Sequence, residues 1–400
     1  MKETLRTCPV CDHGHAETLH CQRFVLAEDK NLAPAFEVVA CGRCGAVFAD
    51  TPVTQAQYDE LYAKRSRYAA GPAAHSTVNE RDTGRFREIA LQIRSVVPDT
   101  AARIVDIGCA NGQMLAALSA LGYDRLTGVD PSPACVQQAT SNRGVEAFVG
   151  SLSDLAAVKP PYDVVILSHV LEHVRDVVPA LQYLSQFLAP NALLYTEVPD
   201  ASRYAEFAWS PFQDFNSEHI NHFSLVSLAN LLRRAGFAPR RSGAKEILSA
   251  PGMPYPAIFW FAQRDERIEP RIEKDCALCD QIREYVRISR RLMSDIDAHL
   301  TANLANGAPV IIWGTGELTA KLLVDTILAR ANVVAFVDSN PINQGQRLRG
   351  VPILAPRELE STDATIVVAS ILHHDSIVDA IRGLALRNPV LSLTCPTSPS

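Results

Sequence analysis

The chain contains no apolar run of membrane-spanning length, which removes the helical membrane proteins from consideration. Nor is there an excess of basic charge. Its 38 Lys and Arg against 44 Asp and Glu give a net charge of −6, so the electrostatic footprint of a nucleic-acid-binding surface is missing. The opening segment, MKETLRTC, lacks the apolar h-region of an export signal, and a cytoplasmic location is expected. With 400 residues and a hydrophobic content of 47%, two or three domains with substantial cores are predicted. The expected partner is a small molecule, with neither membrane nor nucleic acid involved.

Ten cysteines are present, and they are unevenly placed. CPVC supplies Cys8 and Cys11, and CGRC supplies Cys41 and Cys44. In a chain without an export signal such pairs point to metal before disulfide. Two CxxC knuckles complete a tetrahedral sulfur site, and a closed four-sulfur shell suits structural zinc (Zn2+) rather than catalysis. FEVVA reads as a strand leading into the second knuckle, as in a zinc ribbon. His13, His15, His20 and Cys21 are placed in the intervening loop. No thioredoxin-like βαβ pattern surrounds either CxxC, which disfavours a redox role. Cys276 and Cys279 have no second pair nearby and read as packing residues on one long helix after Pro270.

The strongest signal is Ile104 to Leu115, IVDIGCANGQML. A buried strand (Ile104, Val105, Ile107) ends at Asp106, a turn is bracketed by Gly108 and Gly112, and Met114 and Leu115 begin a helix. Glycines there let backbone approach a ligand. LTGVD then closes a second strand on Asp130, about twenty residues on, where an acid can accept both ribose hydroxyls. This is a nucleoside-binding βαβ unit without the GxGxxG pyrophosphate fingerprint. VEAFVG is a third strand, and in the following SLSDL turn Asp154 either meets an adenine edge or N-caps a helix. YDVVILSHVLEHV gives a fourth strand with Ser168, His169, Glu172 and His173 at its carboxyl end, the edge where open α/β sheets bind ligands. FLAPNALLYTEVP gives a proline-led turn and a fifth strand.

The spacing of DIGCANG resembles motif I of class I S-adenosylmethionine (SAM) methyltransferases, with Ala110 at the usual middle glycine. The SHVLEHV and FLAPNALLYTEVP segments resemble the family's later motifs in order. The resemblance implies an α/β Rossmann-like core and a SAM site at Asp106, Gly108, Cys109, Ala110, Gly112, Asp130, Ser151 and Ser168.

Beyond the fifth strand, FNSEHINHFS (215–224) sets Glu218 beside His219. A carboxylate next to an imidazole suits a general base near neutral pH. Ser224 is positioned to N-cap the helix that follows. Upstream, Tyr58, Tyr62 and Tyr68 recur on a helical segment. Tyrosines of this kind pack helices together, while Tyr68, near Gly71, can line a substrate mouth. A helix from Asn79 to Val96 presents Phe86, Ile89, Leu91 and Ile93. Ile282, Val286, Met293, Ile296 and Leu300 share one face of the later helix. APVIIWGTGELTAKLL and ANVVAFVDSNP start a second Rossmann-like unit, whose GTGE turn lacks the third fingerprint glycine. The CPTSPS tail is expected to be disordered.

The order of these parts resembles the three-domain sugar C-methyltransferase family, which methylates nucleotide-linked deoxyketosugars. That resemblance implies an α/β protein: a small N-terminal zinc-ribbon domain and linker (1–75), a class I methyltransferase domain (76–245), bridging strands and helix (246–306), and a C-terminal Rossmann-like α/β domain (307–400). It implies catalytic roles for His219, Glu218, His173 and Tyr68, with His219 as base. Asn216 stands where the family carries a tyrosine, and WGTGELT lacks the family's lysine. An O-methyltransferase acting on a sugar or other small molecule, of surface-polysaccharide or natural-product type, would use the same SAM site. A non-catalytic nucleotide-sugar binding protein would keep the folds without the chemistry.

Overall fold

The structure, a computed structural model, describes residues 1–65, 78–250, 252–265 and 267–393. Tyr68 and the CPTSPS tail lie outside the described residues.

The N-terminal unit begins with β1 (Lys2–Glu3), β2 (His15–Arg23), β3 (Ala35–Cys41) and β4 (Val47–Asp50). These pair antiparallel in that order. His15, His20 and Cys21 therefore lie on strand β2, not in a loop as expected, because the chain turns tightly after each knuckle and pairs at once. Helices α1 (Gln55–Arg65) and α2 (Val78–Val96) follow. Helix α2 buries Ile89, Ala90 and Ile93, whereas Leu91 is 48% exposed and does not face the core as expected.

The central unit runs β5 (Ile104–Ile107), α3 (Gln113–Ser119), β6 (Leu126–Asp130), α4 (Pro133–Arg143), β7 (Glu146–Val149), β8 (Tyr162–Ser168), α5 (Val177–Leu184), β9 (Leu188–Pro199), β10 (Asn221–His222), α6 (Leu225–Arg234), β11 (Phe237–Ala250) and β12 (Met253–Arg264). Seven of these strands form one sheet in the order β11-β12-β9-β8-β5-β6-β7. β5 to β9 pair in parallel and β12 runs antiparallel to β9. A parallel block with an antiparallel strand set against its β9 edge is the Rossmann-like α/β sheet that the resemblance implies. β5 and β8 are apolar because helices cover both faces of a parallel sheet. Strand β12, which falls among the bridging strands expected over 246–306, completes this sheet together with β11, which runs across position 245. β9 begins at Leu188, so Ala189 to Asn191 belong to the strand and not to a separate turn.

Local sequence explains the helix ends. Ser132 caps α4, Pro133 takes its first position, and Gly144 ends it in the left-handed region. Ser224 and Ser227 form a capping box at the start of α6.

The last unit holds α7 (Leu278–Asn303), β13 (Pro309–Trp313), α8 (Glu317–Asp325), β14 (Asn332–Val337), β15 (Arg347–Leu348), β16 (Val351–Leu354), β17 (Thr365–Val368), α9 (His374–Gly383) and β18 (Val390–Ser392). Its strand order is β15-β16-β14-β13-β17-β18, with β13 between parallel neighbours. Helix α7 starts at Leu278, later than Pro270 suggested, so Cys276 precedes it and is exposed, and Cys279 is half-buried. Cys279 packs against the core beside the buried stripe of Ile282, Val286, Met293, Ile296 and Leu300, as expected, whereas Cys276, ahead of the helix, does not.

The units share their interiors. One core joins Cys8, Cys11, Cys41 and Cys44 to Val198 and to Leu228, Leu231 and Leu232 of α6. Another joins Val38 and Val47 of the N-terminal sheet to Phe215, Ile220, Tyr285 of α7 and Leu322 of α8. The loop after β9 also lends β10 to the N-terminal sheet, with Asn221 opposite Phe48 and His222 opposite Val47.

Candidate active site

The site lies at the carboxyl ends of β5, β6, β8 and β9, where the strand order reverses. The glycine turn comes first. Gly108 and Cys109 donate their N–H groups to the Val129 carbonyl at 2.7 and 3.0 Å. Gly108 has φ +80°, and a Cβ there would lie 2.7 Å from the Val170 side chain. Ala110, at φ +46°, donates its N–H to Asp130 at 2.8 Å, and Ser132 donates to the other oxygen of the same carboxylate at 2.9 Å. Gly112 is also left-handed, at φ +79°. Ser151 closes a bridge with Asp154 beyond Gly150. The Cys109 thiol is buried.

Burial pushes the Asp106 carboxyl up to about 7, with the neighbouring Asp130 adding to it. Burial raises Asp130 as well. Among the described residues neither carboxyl forms an ion pair. Two neighbouring buried acids, with only a partial offset from Arg85 on Asp106, match a ligand that brings positive charge and a diol. SAM has an ammonium, a sulfonium and a ribose, and the residues present fit it.

Behind the turn is a charged layer. Ser168 accepts a hydrogen bond from Arg85 at 2.7 Å. Arg85 pairs with the buried Glu197 at 2.8 Å, and Lys245 and Tyr195 converge on the same carboxylate. Burial alone would raise Glu197, but Arg85, His169 and Lys245 outweigh it and hold it well below the ordinary carboxylate range. His169, at φ +56°, sits between two acids, with Nδ1 3.1 Å from Glu172 and Nε2 3.3 Å from Glu197.

The third layer gathers the expected acid–base residues. His173 Nδ1 lies 2.9 Å from the Tyr62 hydroxyl and 3.1 Å from the Glu218 carbonyl oxygen. A carbonyl only accepts, so in the tautomer with a proton on Nδ1 that proton is shared between the Glu218 carbonyl and the Tyr62 oxygen, and the tyrosine keeps its own proton for another acceptor. The His173 and His219 rings meet edge to face at 4.8 Å. Glu172, His173 and His219 bring ligand-capable atoms within 4.8 Å of one another. The Glu218 carboxylate, expected beside the His219 ring, lies 3.7 Å from Lys30 instead.

The loop carrying these groups is held from several sides. The Asn216 side chain accepts the N–H groups of Glu218 and His219 at 3.0 and 2.8 Å, so the residue that departs from the family pattern shapes the turn. Asn221 donates to the carbonyls of Leu171 and Val174 at 2.8 and 2.7 Å. Ile220 donates to the Glu172 carbonyl at 2.8 Å.

Away from this site, Cys8 and Cys44 bring their sulfurs to 3.6 Å, and Cys11 and Cys41 to 3.5 Å. All four lie within 4.8 Å and are buried. Four bonds of about 2.3 Å to one tetrahedral zinc set sulfurs about 3.8 Å apart, so the cluster fits such an ion. In the C-terminal domain the Thr315 N–H and hydroxyl both reach Asp338, the N–H at 2.9 Å, and Asn343 adds 3.1 Å.

Tyr62, Lys30, Arg85 and Glu317 were not picked out as site residues from the sequence. Tyr62 follows Tyr58 by one turn of α1, a spacing that signals a shared face. Lys30, Arg85 and Glu317 carry no local signal, because only tertiary folding brings them in.

Residues 81–241 match the methyltransferase domain family Methyltransf_23. The chain is 24% identical over 344 residues to "C-methyltransferase NovU" of Streptomyces niveus, covering 80% of this chain and 76% of that one. It is 29% identical over 153 residues to a ubiquinone biosynthesis O-methyltransferase of Azorhizobium caulinodans, covering 36% of this chain. The match spans only 60% of that relative's length. A magnesium protoporphyrin IX methyltransferase (ChlM) from Synechocystis PCC 6803 with bound SAH aligns at TM-score 0.41 and 15% identity, over 53% of this chain and 99% of its own. Residues 81–241 are thus a methyltransferase domain within a longer chain. No described helix is long and apolar enough to cross a membrane.

Proposed function

We propose that this chain is a cytoplasmic SAM-dependent C-methyltransferase acting on a nucleotide-linked ketosugar, with His219 as general base and a structural zinc in the Cys8, Cys11, Cys41 and Cys44 cluster. The observation that carries the reading is the grouping of His173, His219 and Tyr62. It is supported by the similarity to a C-methyltransferase across 80% of the chain, well beyond the methyltransferase domain.

When bound, SAM supplies an electrophilic methyl group. Carbon becomes nucleophilic by losing a proton beside a ketone. His219 takes that proton, Glu172 near its ring favours the imidazolium so formed, and the Tyr62 hydroxyl is the donor for the developing enolate oxygen. His173 fixes the tyrosine through Nδ1. Asp106 and Asp130 would hold the ammonium and ribose of the methyl donor, and the remaining acceleration would come from alignment.

Calorimetric titration with SAM, then with dTDP, UDP and GDP, tests the reading. SAM binding with selective binding of one nucleotide is the expected result. SAM binding with no nucleotide binding overturns the sugar-nucleotide assignment, and absence of SAM binding overturns the whole. Incubation with the matching ketosugar should then give a new C–CH3 signal by NMR, lost in His219→Ala.

Oxygen as acceptor is the second reading, favoured by the ubiquinone O-methyltransferase relatives. An O–CH3 product signal establishes it.

A further inference from the structure

The amino end of α8 follows the second glycine turn, where a nucleotide-binding fold presents backbone N–H groups to a phosphate. Here its first residue, Glu317, turns toward the methyltransferase loop. One carboxylate oxygen accepts the Ser217 N–H at 2.9 Å, and the other accepts the Ser217 hydroxyl and the Lys30 ammonium, both at 2.8 Å. Lys30 also donates to the Ser217 hydroxyl at 2.8 Å and lies 3.7 Å from the Glu218 carboxylate. Lys30 belongs to the N-terminal unit, Ser217 to the methyltransferase loop and Glu317 to the C-terminal domain, so three units meet at one backbone amide. Two residues further along is His219.

We infer that Glu317 is a positioning residue for the catalytic loop, with Lys30 as its counter-ion, so that the C-terminal domain sets the pose of Glu218 and His219. The turn around Ser217 has two internal bonds, both to Asn216. Asn216 fixes the shape of the turn, Glu218 and Ile220 bond back to His173 and Glu172 on one side of it, and Glu317 ties Ser217 to the C-terminal domain on the other. Burial raises Glu317, but Lys30 first, then Lys321 and the Ser217 N–H, outweigh it and bring it to about 2. The carboxylate is therefore charged throughout the working range. The adjacent Asp338 is closed by Thr315 and Asn343, so the glycine turn of this domain serves an internal contact.

The inference rests on reading His219 as the base, but its first test needs no acceptor. Hydrogen–deuterium exchange of peptides covering 213–222 should rise at least about tenfold in Glu317→Ala. Peptides covering β5 and β8 should be unchanged, and SAM affinity should stay within about twofold by calorimetry. Glu317→Gln retains an acceptor for the Ser217 N–H and loses the charge, and should give a smaller rise, as should Lys30→Met. Exchange at 213–222 within twofold of the unsubstituted protein in Glu317→Ala overturns the inference. So does a uniform rise across the β5 and β8 peptides, which would make Glu317 merely structural. If the alanine variant does not fold, Glu317→Gln decides alone, and unchanged loop exchange in it overturns the inference. With a methyl acceptor in hand, kcat should fall at least about tenfold in Glu317→Ala with the KM for SAM unchanged. A failed acceptor panel leaves the exchange result readable, so failure of this inference is distinguishable from failure of the proposed function.

Discussion

The Tyr62 hydroxyl stands 2.9 Å from Nδ1 of His173, and the Glu218 carbonyl oxygen shares that same nitrogen. In the tautomer with the proton on Nδ1, the tyrosine accepts from the imidazole and keeps its own proton for the methyl acceptor. Tyr62→Phe removes both bonds and leaves the ring packing in place. A lost hydrogen bond of about 1.4 kcal/mol corresponds to about a tenfold fall in kcat. SAM affinity should stay within twofold, because Tyr62 touches none of the glycine turn's groups. Steady-state methyl transfer and calorimetry, run side by side, check the split.

Asp106 predicts a pH dependence of cofactor binding. Its carboxyl titrates near 7 in the free protein because burial, and then Asp130, disfavour the anion. SAM brings positive charge and favours the anion. Affinity should therefore rise with pH, by up to about tenfold per unit below 7, and level off above it. Binding below pH 7 releases a proton, measurable as a dependence of calorimetric heat on buffer ionisation enthalpy. Asp106→Asn should weaken binding and flatten the profile.

The βαβ unit, the clustering of the four cysteines and the Ser224 cap after the Glu218–His219 loop were legible because each is local: glycine spacing, CxxC spacing and a capped helix all act within a few residues. The seventh strand, β12, was harder, since FWFA reads as any buried strand and only its antiparallel insertion beside β9 assigns it to the sheet. β10 is two residues long and exists because β4 offers a free edge. Sequence placed Glu218 with His219 because they are neighbours, yet adjacent side chains on an irregular loop diverge, and the carboxylate met Lys30, 188 positions away. The charged layer of Arg85, Glu197 and Lys245 has the same character, since its members come from a helix and two strands that meet only on folding.

The cysteine cluster should hold about one zinc ion per chain, measured by plasma mass spectrometry. Cys44→Ser should lose it. Because the cysteines share a core with α6, and β4 pairs with β10 just after His219, the loss extends beyond the N-terminal sheet. The thermal midpoint should fall by about 10 °C or more, and exchange at 221–222 should rise together with that at 47–48. Full metal content in Cys44→Ser would remove that residue from the ligand set.

Glu197→Gln tests the charged layer beneath the site. The carboxylate is fully buried and binds Arg85 and Lys245, whose side chains are 18% and 9% exposed. Gln preserves volume but leaves two cations without their partner, a change that costs about 3–5 kcal/mol for a buried pair. Its folded pKa lies well below the unfolded value of 4.5, so the stabilisation is present above pH 4.5 and is lost as pH falls through the folded value. Urea unfolding should therefore show a constant gap between the two proteins from pH 5 to 8, and the gap should narrow below 4.5. Arg85→Met combined with Glu197→Gln should recover part of the loss, since it removes one of the stranded charges together with its partner. Recovery in the double variant, set against the two single changes in a mutant cycle, separates the cost of an unpaired charge from a simple loss of packing.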